Sequence, residues 1–281
     1  MNKGRDRAEG WKHAKLSGHK NESKVEKLFE NKDFCSQFST RLGIGKIKSA
    51  KVGGLGEKTV ECILGGHTKS KTDLVLELED GTKVNISIKK SAAGQVYLVG
   101  VYRFISGYEK QFGVVIPDDI KDSLELYFYG HPDIQKHLKN PSITSGQKDE
   151  LINYQKRKGR LVWTSLVNLD KDKANRLLKW FKDNASNIAE YCFSRGLAKN
   201  SDDWAEYVWY VNNLGEDESD VIFSISDIME ATASHLEMFV SGPKKGGSTI
   251  LMPFGFVQWH QKQMQFHHLL KNLRKIVKNK R

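Results

Sequence analysis

Residues 71–91, KTDLVLELEDGTKVNISIKKS, constrain the fold more than any other part of this chain. Every second residue is apolar in two short runs separated by Asp80-Gly81, and all the residues between them except Val75 are polar. A period of two is typical of a half-buried β-strand, and an Asp-Gly pair is typical of a turn. The sequence therefore predicts a β-hairpin with one apolar face, made by Leu74, Leu76 and Leu78 in the first strand and Val84, Ile86 and Ile88 in the second.

The number of residues in the hairpin loop decides which polar side chains share a face. Directly opposed residues of an antiparallel pair point to the same side of the sheet, so the two apolar sets share a face only if the loop holds an odd number of residues. A loop of residues 79–81, with Gly81 in the left-handed conformation, meets this condition. Asp73 then lies opposite Ser87, and Lys89 is the next side chain on that face.

This polar face has two interpretations. A carboxylate beside a lysine can hold a divalent metal against a phosphodiester, while the lysine orients or activates the attacking water and stabilises the developing charge. Hard oxygen ligands favour magnesium over zinc. The alternative is a solvated hairpin face whose charges serve only solubility, as on many antiparallel sheets.

The charge of the chain favours polyanionic partners, and nucleic acid comes first among them. Lysine and arginine number 45 against 34 acidic residues, a formal charge of +11. Such an excess attracts polyanions at long range, although many basic proteins have no specific partner of this kind. The nine histidines and three cysteines show no zinc-ligand spacing. With no signal peptide and no apolar run of membrane-span length, the expected location is the cytoplasm, without a membrane partner.

Strand-like and helix-like segments are mixed along the chain. The pattern predicts an α/β class, as a single domain with a central mixed β-sheet flanked by helices. Residues 1–20 form a basic N-terminal arm, and residues from about 241 to 281 a basic C-terminal segment. Further strands are predicted at 123–130, 161–166 and 221–225 and helix within 170–197, while 94–105 fits either a strand or a buried helix.

The hairpin resembles the PD-(D/E)XK nuclease motif, in which an aspartate and an acidic-x-lysine triplet lie on adjacent strands. Asp73 matches the aspartate, and Ser87-Ile88-Lys89 matches the triplet. Ser87 stands where the motif has a second carboxylate, which removes a metal ligand. The MspI type of type II restriction endonuclease is similar, since it has a KTD strand followed by N-I-K-x-S. Here the matching segments are KTD at 71–73 and SIKKS at 87–91.

A second resemblance to the same enzymes lies near the C-terminus. KQMQFH at 262–267 is similar to their K-x-M-Q-F-K ending, in which the glutamine and the last basic residue help to read bases in the major groove. The matching residues are Gln265 and His267, with Lys262 at the start of the segment. Glutamine can make a bidentate contact to adenine or a single bond to another base edge.

The resemblance implies a PD-(D/E)XK nuclease-like core spanning residues 1–281 as a single nuclease domain, with DNA recognition by the C-terminal segment. It implies a type II restriction endonuclease that uses Mg²⁺ to hydrolyse double-stranded DNA at a short specific sequence and leaves 5′-phosphate ends. Asp73 would bind the metal, Ser87 would assist through its hydroxyl or a water, and Lys89 would act on the nucleophile. Glu22, ahead of the hairpin on a predicted helix, is a second candidate metal ligand or a favourable acid in a first helical turn.

Double-stranded DNA is the expected partner. A homodimer is one expectation, because palindromic sites favour two-fold dimers, and a monomer that nicks each strand in turn is the alternative. A cognate DNA methyltransferase is expected genetically. The alternatives are a non-enzymatic basic DNA-binding protein and a DNA repair nuclease on the same fold. The residues expected to contact DNA are Lys69, Lys71, Lys90, Ser91, Lys262, Gln265 and His267.

Overall fold

A computed structural model describes residues 24–52, 59–129, 162–211, 220–238, 249–260, 263–279 and 281. The basic N-terminal arm, Glu22 and Lys262 lie outside these residues. The chain divides into two compact units, each built from several segments. The first comprises 1–92, 193–226 and 279–281, and the second comprises 93–192 and 227–278. The single nuclease domain stays a prediction.

The described residues begin with helix and continue with a run of six strands, then a run of helices, then further strands and helices. The strands are β1 (Ile47–Val52), β2 (Thr59–Glu61), β3 (His67–Lys69), β4 (Leu74–Leu78), β5 (Lys83–Lys89), β6 (Ala93–Gly100), β7 (Tyr207–Tyr210), β8 (Val221–Ser224), β9 (Thr249–Met252), β10 (Gly255–His260) and β11 (Gln263–Leu269). The α-helices are α1 (Lys32–Leu42), α2 (Val101–Phe112), α3 (Asp118–Leu124), α4 (Trp163–Leu169), α5 (Lys171–Asp183), α6 (Ala185–Glu190), α7 (Ile225–Ser234) and α8 (Leu270–Ile276). Residues 24–28 are also helical.

The first unit contains a mixed sheet in the order β1-β4-β5-β7-β8. β5 and β7 run parallel, and the other neighbouring strands are antiparallel. The strands and helices together confirm the predicted α/β class with a mixed sheet. β5 is the middle strand, so neighbours on both sides hold its backbone by hydrogen bonds.

The predicted hairpin is present with the predicted register. Leu74 pairs with Ile86, and Leu76 pairs with Val84. The Leu78 amide donates to the Thr82 carbonyl at 2.8 Å, which leaves residues 79–81 as the loop. Gly81 has a φ of 85°, the left-handed conformation expected of it. The parity argument from the sequence is therefore confirmed.

The apolar face of the hairpin packs on the core of the first unit. Leu74, Leu76 and Ile86 are fully buried, and this core includes Phe38 of α1 and Trp209 of β7. The rings of Phe38 and Trp209 lie 4.8 Å apart between centroids. Burying each such side chain contributes about 1.5–3 kcal/mol, so this face fixes the hairpin firmly to the sheet.

The second unit contains an antiparallel sheet in the order β6-β11-β10-β9. One face of this sheet is buried, with Phe266 of β11 and Val257 of β10 fully covered. Phe104 of α2 packs on Phe266 with 5.7 Å between ring centroids. The pairing of β11 with β6 is irregular between Phe266 and His267, where Phe266 pairs with Tyr97 but His267 pairs with Gln95. This is a β-bulge that leaves one extra residue on β6.

Two of the predicted strands are wrong. Residues 123–129 finish α3 and continue as a π-helix (Glu125–Tyr129), and the 161–166 segment begins α4 at Trp163. Short apolar runs do not separate strands from buried helical turns, and both segments are largely buried. The strand at 221–225 is confirmed by β8, and helix within 170–197 is confirmed by α5 and α6. The sequence of residues 94–105 fits either a strand or a buried helix. The segment contains both, because β6 leads directly into α2.

None of the helices in the described residues combines the length and the apolar character that a bilayer span requires.

Gly255, at the start of β10, is required by the approach of β11. A Cβ at this position would lie 2.0 Å from the His267 carbonyl oxygen and 3.0 Å from the Cα of His268, both backbone atoms. We expect Gly255→Ala to destabilise the fold by about 1–3 kcal/mol, measured by chemical denaturation, because a strand must shift. Gly100→Ala is the control, since no atom lies within 4 Å of its added Cβ. Equal stability of both variants would contradict this explanation.

Candidate functional site

Asp73 joins the two strands of the hairpin at its open end. Its backbone amide donates to the Ile86 carbonyl at 2.9 Å, so its main chain continues the ladder beyond β4. Its Oδ2 atom accepts hydrogen bonds from the Ile88 amide at 2.7 Å and from the Ser87 hydroxyl at 3.1 Å. The carboxylate is therefore held in one orientation by a backbone and a side-chain donor.

Lys89 completes a cluster of three side chains, which we name the hairpin cluster: Asp73, Ser87 and Lys89. Lys89 Nζ donates to Ser87 Oγ at 2.6 Å and lies 3.8 Å from Asp73 Oδ2. The lysine and aspartate side chains are 17% and 24% exposed, and Ser87 is only 1% exposed. These three side chains are therefore not part of a fully solvated hairpin face. The structure thus brings together the three residues that sequence parity placed on one face.

The strand that carries Ser87 and Lys89 is also supported on its polar side. Asn85 Nδ2 donates to the backbone carbonyls of Asp202 and Trp204, at 2.7 and 3.0 Å. The Ser70 and Thr72 hydroxyls, just ahead of Asp73, both donate to the Asp203 carbonyl, at 2.8 and 3.1 Å. These bonds fix the backbone on both sides of the hairpin cluster. A site on rigid elements keeps its reacting groups in place.

A metal ion at the hairpin cluster would need ligands from water or substrate, because the described residues offer few protein ligands there. Among the described residues, no three His, Cys, Asp or Glu side chains gather as a metal site. Asp73 Oδ2 is engaged by protein donors, whereas no described residue donates a hydrogen bond to its Oδ1. Magnesium is commonly bound through one or two carboxylates together with waters and substrate phosphates. Glu22 lies outside the described residues, so its role as a ligand stays a prediction.

The residues predicted to contact phosphate are distributed around the hairpin. Lys69 is exposed at the end of β3, and Lys71 is half-buried two residues ahead of Asp73. Lys90 and Ser91 directly follow Lys89. All four belong to the first unit with the hairpin cluster. Their contact with DNA stays a prediction.

The two predicted base-reading residues lie in the second unit, on the antiparallel sheet. Gln265 and His267 alternate with buried residues of β11, so both project from the half-exposed face of the sheet. Gln258 of β10 is directly opposite Gln265 and donates from Nε2 to Gln265 Oε1 at 2.9 Å. Gln265 Nε2 in turn donates to Gln95 Oε1 at 2.8 Å. We name Gln95, Gln258, Gln265 and His267 the amide face.

His267 is packed as well as hydrogen-bonded. Its ring stacks on Phe256, the residue directly opposite, with 4.5 Å between centroids and 11° between planes. Its Nε2 lies 3.3 Å from Gln258 Nε2. Burial lowers the pKa of His267 below its ordinary value, and the charge of His260 lowers it further. A neutral ring is therefore favoured here, unlike the basic residue that ends the motif which this segment resembles.

Sequence reasoning missed Gln95, Gln258 and Phe256. The alternation in GFVQWH at 255–260 could have shown that Phe256 and Gln258 share a face, as β10 confirms. The sequence gives no comparable signal for Gln95, because its strand pairs with β11, about 170 residues later.

His267 should make the fold less stable in acid. Its pKa is 6.5 in the unfolded reference and lower in the fold, so between the two values the unfolded chain binds more protons and stability rises with pH. We expect thermal unfolding temperature to fall as pH drops below about 6.5, and to fall less steeply in His267→Gln. His67→Gln, which removes an exposed histidine of the first unit, is the control. An identical slope in His267→Gln and the unmodified protein would contradict the predicted effect.

Comparisons with known proteins give similarity to solved structures only. No protein-family model matches the chain. No curated protein matches it either. Among solved structures, the restriction endonuclease MspI in complex with its cognate DNA is similar, with a TM-score of 0.42 and 17% identity over 84% of this chain and 77% of that one. The contacts within this chain must therefore carry a functional proposal.

Proposed function

We propose that this chain is a magnesium-dependent DNA endonuclease of the type II restriction class, which hydrolyses double-stranded DNA at a short specific sequence and leaves 5′-phosphate ends. One observation carries the proposal. Hydrogen bonds connect a carboxylate, a buried hydroxyl and a lysine amine at the end of the hairpin. Lys89 Nζ lies 2.6 Å from Ser87 Oγ and 3.8 Å from Asp73 Oδ2.

Lys89 would orient or activate the attacking water and stabilise the negative charge that develops on the phosphate. Hydrolysis of a phosphodiester needs a nucleophile held in line with the leaving oxygen and positive charge near the phosphoryl oxygens. The Lys89 side chain is 17% exposed, so a substrate phosphate would meet its amine in a largely desolvated place, where charge interactions are stronger than in water. Its bond to Ser87 Oγ directs the amine before a substrate arrives.

Asp73 would hold the magnesium ion through Oδ1, while Oδ2 stays bonded to Ser87 and Ile88. When bound, the ion would polarise the phosphate and lower the pKa of a water. Ser87 connects the other two members, since its hydroxyl donates to Asp73 and accepts from Lys89. It would assist the metal through its oxygen or through a water, in place of the second carboxylate of the motif that this hairpin resembles.

The rest of the chain supports DNA as the substrate. The formal charge of +11 favours a polyanion. Lys69, Lys71, Lys90 and Ser91 surround the hairpin in sequence and would position phosphates, and Lys262, at the start of the C-terminal motif, is also expected to contribute. Gln265 and His267 present uncharged donors and acceptors suited to base edges. A homodimer, a cognate methyltransferase and a cytoplasmic location belong to the same proposal.

Two other functions are distinguished by their products. A non-enzymatic DNA-binding protein would retain DNA in a gel without cutting it. A repair nuclease on the same fold would cut at lesions or unusual structures and give no discrete fragments from intact duplex DNA.

Lys89→Ala should abolish most cleavage. We expect unmodified viral or plasmid DNA to give discrete fragments with Mg²⁺ and none with chelator, and the variant to cut at least about 10²- to 10³-fold more slowly, because a preorganised charge is lost. Initial rates of fragment formation measure this. Lys83→Ala is the matched control, since Lys83 begins the same strand and is exposed. Full activity in Lys89→Ala would place the chemistry elsewhere.

Ser87→Asp tests whether Mg²⁺ binds at the hairpin cluster, without a measurement of DNA cleavage. A second carboxylate at this buried position, next to Asp73, should lower the unfolding temperature in chelator because like charges repel there. Mg²⁺ should then raise that temperature more than it does for the unmodified protein, because an ion that binds only the folded state stabilises it.

Asn85→Asp is the control for Ser87→Asp. It adds the same charge two residues earlier on the same buried strand face, where Asn85 donates to two carbonyls. It should lose stability that Mg²⁺ does not restore. Equal responses of the two variants to Mg²⁺ would argue against a metal at the hairpin cluster.

A further inference from the structure

The four side chains of the amide face form a continuous hydrogen-bonded chain. Gln258 Nε2 contacts both Gln265 Oε1, at 2.9 Å, and His267 Nε2, at 3.3 Å. Gln265 Nε2 continues the chain to Gln95 Oε1 at 2.8 Å. The chain thus crosses three strands, from His267 through Gln258 of β10 and back through β11 to β6.

Counting donors fixes the protonation of His267 in this arrangement. The amide nitrogen of Gln258 carries two hydrogens, one for Gln265 and one for His267. His267 Nε2 must then be an acceptor without a hydrogen, so the ring is neutral and its hydrogen is on Nδ1. The direction of the amides therefore determines the tautomer of the ring, and the tautomer determines the direction of the amides.

The opposite direction satisfies the same contacts. If His267 Nε2 carries a hydrogen, the Gln258 amide is turned by 180°. Gln258 Oε1 then accepts from His267 Nε2 and from Gln265 Nε2. Gln265 Oε1 then accepts from Gln95 Nε2. A single reversed amide would place two donors or two acceptors against each other, so the three amides reverse together.

The surroundings of His267 favour a neutral ring, which removes the one form that fits the reversed direction alone. Phe256 covers one side of the ring, and burial disfavours the charged form. His260 on β10 is the titratable neighbour that acts on it, while Gln95 on β6, Gln263 on β11 and Leu251 on β9 add no charge to this face. An imidazolium has hydrogens on both nitrogens and fits only the reversed direction.

The direction of the amides decides what a base would meet. Gln265 retains one amide hydrogen and one carbonyl lone pair after these bonds, and a bidentate base contact requires the two in a fixed order. Reversal exchanges their positions on Gln265 without any change of side chain. A site that presents the wrong order leaves base-edge groups unpaired.

We propose that the amide face acts as one unit, in which Gln258 and Gln95 are positioning residues that set the amide order of Gln265 and the tautomer of His267 for base reading. The role in base reading rests on the proposed function, whereas the hydrogen-bonded unit does not. Two variants separate the directions. Gln258→Glu offers only acceptors to His267 and Gln265 and should force the reversed direction, while Gln95→Glu offers only acceptors to Gln265 and should retain the first.

Long-range ¹H–¹⁵N correlation spectra of the full chain at about pH 8 report which nitrogen of a histidine carries the hydrogen. The His267 signals are assigned from their loss in His267→Gln. We expect an unprotonated Nε2 in the unmodified protein and in Gln95→Glu, and a protonated Nε2 in Gln258→Glu. Because both variants add one carboxylate to the same face, charge alone does not explain opposite results. The same His267 tautomer in Gln95→Glu and Gln258→Glu would contradict the proposal that the amide face acts as one unit. A protonated His267 Nε2 in the unmodified protein would contradict it as well.

Selection of bound duplexes from a random-sequence library, followed by sequencing, tests the role in base reading. Gln258→Glu should change the preferred base at one or more positions, and Gln95→Glu should keep the preference of the unmodified protein. Unchanged preferences in Gln258→Glu would overturn that role. An unmodified protein that selects no sequence would overturn it together with the proposed function, while the spectra would still decide whether the unit exists.

Discussion

The bond between the Asp73 carboxylate and the backbone of the neighbouring strand is the interaction on which the candidate site depends. A hairpin is closed at one end by its loop, and here Asp73 closes the other end by accepting from the Ile88 amide and the Ser87 hydroxyl. Hydrogen bonds to a charged group contribute about 1.5–3 kcal/mol each. Both bonds use Oδ2, no described residue donates to Oδ1, and Ser87 is held next to Lys89. One carboxylate therefore contributes both to the stability of the hairpin and to the geometry of the site.

The two units separate two kinds of polar chemistry. In the first unit the hairpin cluster combines opposite charges, which suits binding of phosphate and metal. In the second unit the amide face consists of neutral amides and an imidazole whose pKa is lowered. Phosphate contacts position a protein on DNA without reading sequence, whereas base reading needs donors and acceptors in a fixed order. The distribution of side chains agrees with this division.

Sequence reasoning succeeded where the partner strands are adjacent in the chain. The hairpin register follows from the alternation and from the parity of the loop, so Asp73, Ser87 and Lys89 could be placed together without coordinates. It failed at residues 123–129, where apolar residues in a helical turn look like a short strand. It also missed Gln95, whose partner strand is distant in sequence. Pairing between distant strands is decided by packing of the whole sheet, and one sequence does not show it.

The bulge between β6 and β11 means that strand length, as well as residue identity, determines the chemistry beside His267. In a regular register Val96 would lie opposite His267, and the extra residue places Gln95 there instead. Val96 is buried, so the bulge exchanges an apolar neighbour for an amide without disturbing the core. If the amide face reads bases as proposed, a gain or loss of one residue in this strand would change the group beside His267 without substitution of any residue on that face.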